Sequence, residues 1–401
     1  MPRASRHTTS RPTLASTTLA LVAIACLQAP VSSQSPSVPP GASIGPGASM
    51  AAVASAAPVD VAGIRWKQSK KSKGFGPRDG SPLAFDMAVG PNGRFLLAGV
   101  NDDRTPDRRG IVWGSDDGVR WTKLKGSAPK GSAISSVLAT DDGFLLAGDV
   151  NSSAPLLLTS DGTRLSKLDA PAEGLPTGPL FGLARAPFGF VALGNDAGGV
   201  PTVWTSSDGV SWMGSALPGA FYAIHIAVTD DGTIVALGNQ QDANGVRTPT
   251  AWSSTDGTSW TTTPLPVEPG NWAVPDLERT PLGLVATVAG DGQGAAMVST
   301  DGTTWTQGPE APGVLLVGTA GSEAVLFGPD TWWHSADAMT WTEGAAKSFD
   351  GYRIETSAIR PDGAVIAAGY LFSGFGALDP TDSVRTWVGR APAPEPSGAG
   401  G

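Results

Sequence analysis

The chain has 401 residues and a formal net charge of −9, with 40% hydrophobic and 16% charged residues. These proportions describe a weakly charged globular protein rather than a disordered or membrane-embedded one. The acidic balance argues against nucleic acid or an anionic membrane surface as the main partner. One Cys and three His exclude a disulfide framework and argue against a zinc site, so we expect no metal and no cofactor.

The first 25 residues have the features of a signal peptide. Three basic residues and no acidic residue precede an apolar stretch from about Leu14 to Ala25, which is too short to span a bilayer. The basic residues are Arg3, Arg6 and Arg11. We therefore expect export of the protein, with residues 1–25 as the signal peptide.

The only cysteine, Cys26, stands directly after this stretch, in the order Ala23-Ile24-Ala25-Cys26. This arrangement resembles the bacterial lipoprotein signal, in which a signal peptidase cuts before the cysteine and the cysteine then carries lipid. That pattern prefers Leu at the position of Ala23. The resemblance implies lipidation at Cys26 and a location at the outer face of the bacterial cell membrane. The alternative is plain secretion, with a cut near Ser33.

Two further segments lack the large apolar residues that a folded core needs. Residues 26–60 consist mainly of Pro, Ser, Ala and Gly, and residues 391–401 have a similar composition. Such sequences are typical of disordered linkers and tails. Residues 61–390 are therefore predicted to form one folded domain, which the N-terminal linker would hold away from the membrane.

One pattern recurs six times in this domain: an apolar strand, an Asp-Gly pair and then an aromatic-bearing strand. The six aspartates are spaced 44, 47, 48, 45 and 36 residues apart, and they are Asp117, Asp161, Asp208, Asp256, Asp301 and Asp337. This spacing is the length of a four-stranded propeller blade. Each copy is typical of a β-hairpin, in which Asp accepts hydrogen bonds from turn amides and Gly supplies a positive φ. The sixth copy is degenerate, because Ala338 replaces the glycine.

A second pattern occurs seven times, upstream of the hairpins, as a short continuous apolar segment. The segments begin near Phe95, Phe144, Phe190, Ile234, Leu284, Ala324 and Val365. Continuous apolar runs of this length predict strands that are buried on both faces. Seven such strands with only six hairpins indicate a seventh blade that is completed in another way.

The two ends of the domain resolve this mismatch. Residues 384–389, with Trp387, match the strand that enters each hairpin, and residues 63–67, with Trp66, match the strand that leaves it. Pairing of these two ends would complete the seventh blade and close the ring. The sequence therefore predicts an all-β fold, a seven-bladed β-propeller of four-stranded antiparallel blades.

The motif Ser-x-Asp-Gly-x-x-Trp resembles the Asp-box, or sialidase-type, repeat over residues 61–390. That repeat usually has one more residue between Asp and Gly. The resemblance implies the propeller fold and a structural role for the six aspartates, on the face opposite any active site. It covers sialidases, other glycosidases, photosystem assembly factors and sortilin-like receptors, so it implies a fold far more strongly than a chemistry. We identify the chain as resembling a non-catalytic member.

Sialidases with this repeat use an Arg clamp for the substrate carboxylate and a Tyr nucleophile paired with Glu. The weak catalytic candidates in this chain are Arg353, Tyr352 and Tyr370. Arg353 lies in a Tyr-Arg-Ile-Glu sequence that lacks the Pro of the family's Arg-Ile-Pro motif, and it falls in the last blade rather than an early one. The sequence alone assigns none of the tyrosines a Glu partner. End-of-strand charge or packing is the competing interpretation for all three residues.

Strand order predicts that one face of the propeller carries the long loops. Polar residues begin these loops in most blades and would surround the channel mouth: Asn101, Asp149, Asn195, Asn239 and Asp291. Other candidates on the long loops are Arg108, Arg247 and Phe372. Loops on a rigid scaffold are where binding residues concentrate, although Asn and Asp also simply terminate strands.

These observations favour an exported, lipid-anchored propeller that acts as a non-catalytic binding or assembly module at the cell envelope. Its partner would be a protein or a glycan at the loop-rich face. The alternative is a sialidase-like or other glycoside hydrolase acting on extracellular glycans. A hydrolase would require convergent Arg or carboxylate groups with shifted pKa values in a pocket.

Overall fold

Short apolar segments separated by tight turns form 28 strands in the part of the chain that the structure describes. The structure is a computed structural model, and it describes residues 60–69, 75, 82–101, 107–168, 174, 176–290, 293–310, 316–328, 331–344, 349, 351–360, 362–371 and 384–391. All of these residues belong to one compact unit. They contain no helix, and therefore none that is long and apolar enough to cross a membrane.

The strands form seven antiparallel four-stranded sheets, the blades. Blade 1 contains β2 (Leu83–Val89), β3 (Phe95–Val100), β4 (Gly110–Ser115) and β5 (Thr122–Lys123), and blade 2 contains β6 (Ser132–Thr140), β7 (Gly143–Val150), β8 (Ala154–Ser160) and β9 (Leu165–Lys167). Blade 3 contains β10 (Leu180–Ala186), β11 (Gly189–Asn195), β12 (Pro201–Ser206) and β13 (Met213–Ala216). Blade 4 contains β14 (Ala220–Val228), β15 (Ile234–Gln241), β16 (Arg247–Ser254) and β17 (Thr261–Pro264).

The remaining three blades complete the ring. Blade 5 contains β18 (Trp272–Thr280), β19 (Gly283–Gly290), β20 (Gln293–Ser299) and β21 (Thr306–Glu310). Blade 6 contains β22 (Leu316–Ala320), β23 (Glu323–Phe327), β24 (Trp332–Ser335) and β25 (Thr342–Glu343). Blade 7 contains β26 (Tyr352–Ile359), β27 (Val365–Leu371), β28 (Arg385–Arg390) and, as its outer strand, β1 (Arg65–Gln68).

The N-terminal strand closes the ring by pairing with the C-terminal one. β1 runs antiparallel to β28, with Arg65 opposite Arg390 and Gln68 opposite Trp387. The innermost strands β2, β6, β10, β14, β18, β22 and β26 contact each other in sequence, and β26 contacts β2. The predicted fold, a seven-bladed β-propeller closed by its two ends, is therefore confirmed.

The core lies between the blades, and the second strand of each blade is its centre. β3 is buried along its whole length, and its successive side chains pack alternately against blade 7 and blade 2. Tryptophans that follow Asp-Gly turns pack toward the preceding blade: Trp121 joins a cluster with Ile366 of blade 7, and Trp212 joins one with Leu145 of blade 2. The high Trp content thus has a packing cause.

The Asp-Gly turns explain why glycine is required there. Gly118 has a φ of +68°, and a Cβ on it would lie 2.3 Å from Cδ1 of Ile366 in blade 7. Gly302 has a φ of +73°, and a Cβ on it would lie 2.3 Å from Cγ2 of Val235 in blade 4. Each turn therefore needs glycine both for its backbone conformation and for close contact with the preceding blade.

The aspartates of these turns hold their own backbone. Oδ1 of Asp256 accepts hydrogen bonds from the amides of Thr258 at 2.7 Å and Ser259 at 2.8 Å. Ser254 Oγ donates to the same oxygen at 3.0 Å and accepts from the Gly257 amide at 2.8 Å. The same backbone bonds to Oδ1 occur at Asp117, Asp161, Asp208, Asp301 and Asp337. In this structure the six carboxylates stabilise turns.

Bulges on the innermost strands bring polar side chains to the next blade. Asp86 follows a bulge in β2, and its Oδ2 accepts hydrogen bonds from the Val137 amide at 2.7 Å and the Ser136 hydroxyl at 3.0 Å, both in blade 2. Asp276 follows a bulge in β18, and its Oδ2 accepts from the Val317 amide of blade 6 at 2.8 Å. These bonds tie neighbouring innermost strands together and bring carboxylates to the axis of the propeller.

Candidate functional site: the loop face and the axial channel

The two faces of the propeller carry different connections. One face, the turn face, carries the Asp-Gly turns and the turns between first and second strands. The other, the loop face, carries the loops from second to third strands and the connections between blades. The channel that runs between the faces is lined by the innermost strands. The loop face and this channel are therefore the two places where a ligand could meet side chains from several blades.

The channel contains carboxylates from blades that are not neighbours. Asp86 belongs to blade 1, and Asp276 and Glu278 belong to blade 5, yet the charge of Asp86 raises the pKa of both blade 5 residues. Because blades 1 and 5 do not touch in a ring of seven, these groups must face each other across the axis. Glu278 stays accessible to water although protein surrounds it, as expected inside an open channel.

Burial and mutual repulsion shift the acidities of these groups. Burial raises the pKa of Asp86 to about 6, against hydrogen bonds that lower it, and raises the pKa of Asp276 to about 7 with help from Asp86 and Glu355. Burial also raises the pKa of Glu278 well above its usual value. Burial lowers the pKa of His225 in blade 4 to about 4, so the imidazole is neutral at pH 7 and donates from Nε2 to the Val274 carbonyl at 3.0 Å.

Arg353, Glu355 and Tyr370 form a cluster at the loop-face end of blade 7. Arg353 in β26 lies opposite Tyr370 in β27, and Glu355 follows two residues later on the same strand. Nε of Arg353 forms an ion pair with Oε1 of Glu355, although the two atoms are not aligned as a hydrogen bond. Glu355 also accepts a hydrogen bond from Tyr370. Burial raises the pKa of Glu355, while Arg353 and Tyr370 oppose that rise.

This cluster gives Tyr370 the Glu partner that sequence reasoning did not assign to it. The signal was present, since Glu355 lies in the same Tyr-Arg-Ile-Glu segment as Arg353, but only strand pairing places it beside Tyr370. The third catalytic candidate, Tyr352, has a different environment. Its ring packs edge-to-face on Trp387, with ring centroids 5.2 Å apart. Tyr352 therefore belongs to the packing of blade 7.

Two members of the predicted polar ring, Asn101 and Asp149, form hydrogen bonds within their own loops. Asn101 accepts a hydrogen bond from the Arg109 amide at 2.6 Å and so closes its own loop. Asp149 accepts from the Ser152 amide at 2.6 Å and pairs with Arg108 at 2.5 Å. Burial raises the pKa of Asp149, against the lowering effects of Ser152 and Arg108. Arg108 also donates to the Gly131 carbonyl and the Ser152 hydroxyl, so it fastens blade 1 to blade 2.

The other predicted loop-face residues differ from these. Asn195 ends β11 and is half-buried. Asn239 in β15 is buried, and its Oδ1 has no hydrogen-bond donor. Arg247 begins β16, and its guanidinium carbon lies 5.4 Å from the centre of the Phe221 ring. The last three candidates, Asp291, Phe372 and Cys26, lie outside the residues that the structure describes.

Two loops of the same design occur side by side on the loop face of blades 3 and 4. Asp196 Oδ1 accepts from the amides of Gly198 and Val200 at 2.8 and 2.9 Å. Asp242 Oδ1 accepts from the amides of Asn244 and Val246, both at 2.8 Å. The third residue after each Asp is a glycine with a φ of +82° or +84°. The repeated Asp-Ala-x-Gly-Val sequence is visible in the amino-acid sequence, but only the structure shows that its valine is exposed to solvent.

Each of these loops exposes an apolar residue. Val200 is 42% exposed and Val246 is 38% exposed, and they occupy equivalent positions in adjacent blades. Phe221 is 46% exposed at the start of β14, beneath Arg247. We call Val200, Phe221 and Val246 the blade 3–4 patch. Large apolar side chains held on rigid loops are typical of interaction surfaces.

Metal sites and cavities are the other kinds of site that a propeller can offer. Within the described residues, no group of three or more His, Cys, Asp or Glu side chains has the arrangement to hold a metal ion. A recess of about 280 Å³ lies on the turn face between blades 5 and 6, bordered by Thr304 and Met339. A smaller one of about 60 Å³ borders Asn101 and Arg109. Neither contains Arg353, Glu355 or Tyr370.

Comparison with known proteins gives similarity in structure only. The sequence matches no protein-family model and no curated protein. The structure of YCF48 bound to D1 peptide is similar, with 15% identity and a TM-score of 0.54 over 83% of this chain and 99% of that one. The extracellular domain of the hybrid two component system BT4673 from B. thetaiotaomicron has 11% identity and a TM-score of 0.54 over 79% of this chain.

The covered share differs between these structures. This chain covers 39% of the BT4673 chain and 59% of Trypanosoma rangeli sialidase in complex with the inhibitor DANA, for which the identity is 13% and the TM-score 0.43. At such low identities the similarity extends to the fold and not to activity or ligand. The chain is a β-propeller that shares its fold with YCF48 and with the extracellular domain of BT4673.

Proposed function

We propose that this protein is an exported, non-catalytic binding module that engages a protein partner at the loop face of blades 3 and 4. The N-terminal segment would direct export, and a lipid at Cys26 would hold the propeller at the outer face of the bacterial membrane. The observation that carries the binding proposal is the blade 3–4 patch. YCF48, which shares the fold, was solved with a peptide bound.

The design of the patch supports this proposal. An exposed valine on a flexible loop can turn away from water, but the loops at Val200 and Val246 are held by an Asp side chain and by a paired backbone. Both valines are therefore fixed in an exposed position. A rigid apolar surface of this kind loses little conformational freedom when a partner covers it, which favours binding.

The channel argues against the catalytic alternative. A sialidase must hold the carboxylate of its substrate, which requires an excess of positive charge. In the described part of the channel Asp86, Asp276, Glu278 and Glu355 face a single guanidinium, that of Arg353, which Glu355 already pairs with. Because its guanidinium is already paired, the described part of the channel provides no excess of positive charge for an anionic sugar.

Photo-crosslinking tests the binding proposal. A photoreactive phenylalanine is placed at position 221, 246 or 213 of the full-length chain, which is then mixed with an envelope extract of the producing organism. Met213 is the matched control, because it is 66% exposed on the outer strand of blade 3, away from the patch. We expect one adduct from positions 221 and 246 and none from 213.

Competition with unlabelled protein makes the outcome specific. Unlabelled wild-type protein is expected to suppress the adduct, and a Val200→Ser, Val246→Ser double variant to compete at least ~10-fold less well, because exposed anchor side chains often contribute about 1 kcal/mol each or more. Equal crosslinking from all three positions, or equal competition by the double variant, would contradict a partner site at this patch.

A second candidate function rests on the Tyr370–Glu355 hydrogen bond beside Arg353. A tyrosine activated by a glutamate is the nucleophile expected of a sialidase-like hydrolase, so the chain could cleave glycosides at blade 7. Fluorogenic sialosides and β-glucosides test it, with Arg353→Ala and Tyr370→Phe as controls. We expect no turnover; turnover that both variants abolish would replace the non-catalytic proposal with this one.

A further inference from the structure

The interface between blades 4 and 5 ends at the loop face in a buried polar side chain, that of Asn239. On β15, Val235 and Leu237 face blade 5 and pack there with Leu277 and Leu284. Asn239 is the next residue on the same face of the strand, because side chains alternate along β-strands. A third apolar residue would continue this row, and a polar amide stands there instead.

Asn239 is a buried group without a partner. Its side chain is 2% exposed, and its Oδ1 accepts no hydrogen bond in the structure. A buried carbonyl oxygen that lacks a donor destabilises a folded protein. The blade would be more stable with an apolar side chain at this position, so the amide points to a ligand that supplies the missing donor.

Two further side chains share this face of blade 4. Tyr222 lies directly opposite Asn239, on β14. Arg247 lies opposite Gln241, two residues further along β15, so it faces the same way as Asn239. The charge of Arg247 reaches the phenol: burial raises the pKa of Tyr222 to about 12, and Arg247 opposes that rise.

Arg247 is held in place and forms no ion pair with the residues that the structure describes. Its backbone exchanges hydrogen bonds with Gly270 of the following blade connection, at 3.2 and 3.0 Å, and its side chain stacks over Phe221. Among the described residues, no carboxylate lies within ion-pair distance of it. An unpaired guanidinium on a chain with a net charge of −9 is an anchor for an acidic group.

The combination of groups selects a kind of ligand. The carboxamide of Asn offers one acceptor and two donors, which match the N–H and C=O of a peptide group. Arg247 pairs with a carboxylate, and Phe221 and Val246 at the rim contact an apolar side chain. Sugar hydroxyls would satisfy Asn239 but would leave the two apolar side chains uncovered. A peptide satisfies all of these groups together.

We propose that Tyr222, Asn239 and Arg247 form a subsite that binds an extended peptide segment containing an Asp or Glu next to an apolar residue. The subsite rests on the proposed function, because it borders the blade 3–4 patch and specifies its partner. The backbone of the segment bonds to Asn239, its carboxylate pairs with Arg247, and its apolar side chain covers Phe221.

Peptide selection tests this subsite with a defined probe. Phage displaying random 12-residue peptides are selected on the immobilised full-length protein, and the enriched sequences are synthesised for fluorescence-polarisation titration. We expect the enriched peptides to carry an acidic residue beside an apolar one. Asn239→Leu and Arg247→Gln are each expected to raise the dissociation constant at least ~10-fold, which corresponds to the free energy of one good buried or charged hydrogen bond. Met213→Ser should leave the dissociation constant unchanged.

A double-mutant cycle tests whether the carboxylate of the peptide pairs with Arg247. Replacing the acidic residue of the peptide by its amide should weaken binding to the wild-type protein, and the same replacement should cost nothing further with Arg247→Gln. Asn239→Leu removes the unpartnered oxygen at similar volume, so we expect its melting temperature to stay equal or to rise by ~2–4 °C. Loss of binding in a variant of undiminished stability excludes misfolding as the cause.

Three results would overturn the subsite. One is that no peptide is enriched on the wild-type protein over Asn239→Leu. Another is that Phe221→Ser abolishes binding while Asn239→Leu and Arg247→Gln do not, which leaves the proposed function intact and removes the subsite. The third is that a glycan array gives binding that Asn239→Leu abolishes, which assigns the proposed subsite to a sugar.

Discussion

The free energy of unfolding is expected to fall as the pH rises from about 5 to 8. Asp86 and Asp276 have pKa values of about 6 and 7 in the folded protein, against an ordinary value of 3.8, and Glu278 is raised well above 4.5. A carboxyl group whose pKa is raised by folding contributes stability that is fully present below its unfolded pKa. That stability is lost as the pH rises through its folded pKa.

His225 opposes this trend but does not cancel it. Its pKa is lowered from 6.5 to about 4 by burial, so its contribution is present above pH 6.5 and is lost as the pH falls toward 4. One histidine therefore works against three channel carboxylates. Since one unit of pKa corresponds to about 1.4 kcal/mol, we expect a net loss on the order of 2 kcal/mol between pH 5 and 8.

The Asp-Gly turns set the acid limit. Hydrogen bonds from turn amides lower the pKa of all six turn aspartates, that of Asp337 to about 2. Their stabilisation is present above the unfolded pKa of 3.8 and is lost as the pH falls below it. Stability should therefore be greatest near pH 4 to 5, below the range that is common for globular proteins.

Urea unfolding followed by tryptophan fluorescence measures this profile. Asp276→Asn removes one titrating group and should flatten the decline between pH 5 and 8, while Asn keeps one acceptor for the Val317 or Leu277 amide. The exposed residue Asp142 provides the control, and Asp142→Asn should leave the slope unchanged. A flat or rising profile for the wild-type protein would show that burial does not raise the pKa values of these carboxyl groups in the folded protein.

Removal of the first strand is expected to have the largest effect on stability. A chain that starts at Ser69 lacks β1, so blade 7 loses its outer strand and β28 becomes an open edge. It also lacks Val61 and Ile64, which are buried, and Trp66, whose ring packs edge-to-face on Phe327 and Phe349. Removing one fully buried Trp side chain typically costs about 3–5 kcal/mol. Trp66 is half-buried, but the segment also removes two buried side chains and a whole strand, so we expect a loss of at least that size.

The matched control is a chain that starts at Asp60. It lacks only the predicted signal peptide and linker, and we expect it to unfold in urea at the same midpoint as the full-length chain. The chain starting at Ser69 should unfold at a much lower midpoint or aggregate through its open edge. Equal midpoints for the two truncated chains would show that the ring does not depend on β1 for closure.

Local patterns in the sequence were sufficient for the fold. The spacing of the Asp-Gly pairs predicts the blade length, and the apolar segments predict the central strands, because both depend on interactions within a few residues. Trp66 and Trp387 predict closure, since each repeats one half of a hairpin that elsewhere is continuous. Because the blades repeat around one axis, the pairing of these two half-hairpins is sufficient to predict a closed ring.

The candidate sites were predictable only in part. Asn239 and Arg247 were recognised from the sequence as polar residues on long loops. That Oδ1 of Asn239 is buried without a hydrogen-bond donor depends on how the neighbouring blade packs against it. Asp86 and Asp276 were not recognised, because a single acid in an apolar strand looks like an exposed position. Glu355 was passed over because its contact with Tyr370 crosses from one strand to the next.

The sequence by itself determined the all-β class, the blade count and the closure of the propeller, because turn chemistry and strand periodicity are encoded by residues that are close along the chain. Only the tertiary structure decided which polar side chains meet. Asp86 and Asp276 are 190 residues apart in the numbering yet interact across the axis. Asn239 is buried at the end of a row whose other members, Val235 and Leu237, pack against blade 5. Such contacts depend on the angles between blades, which no single repeat contains.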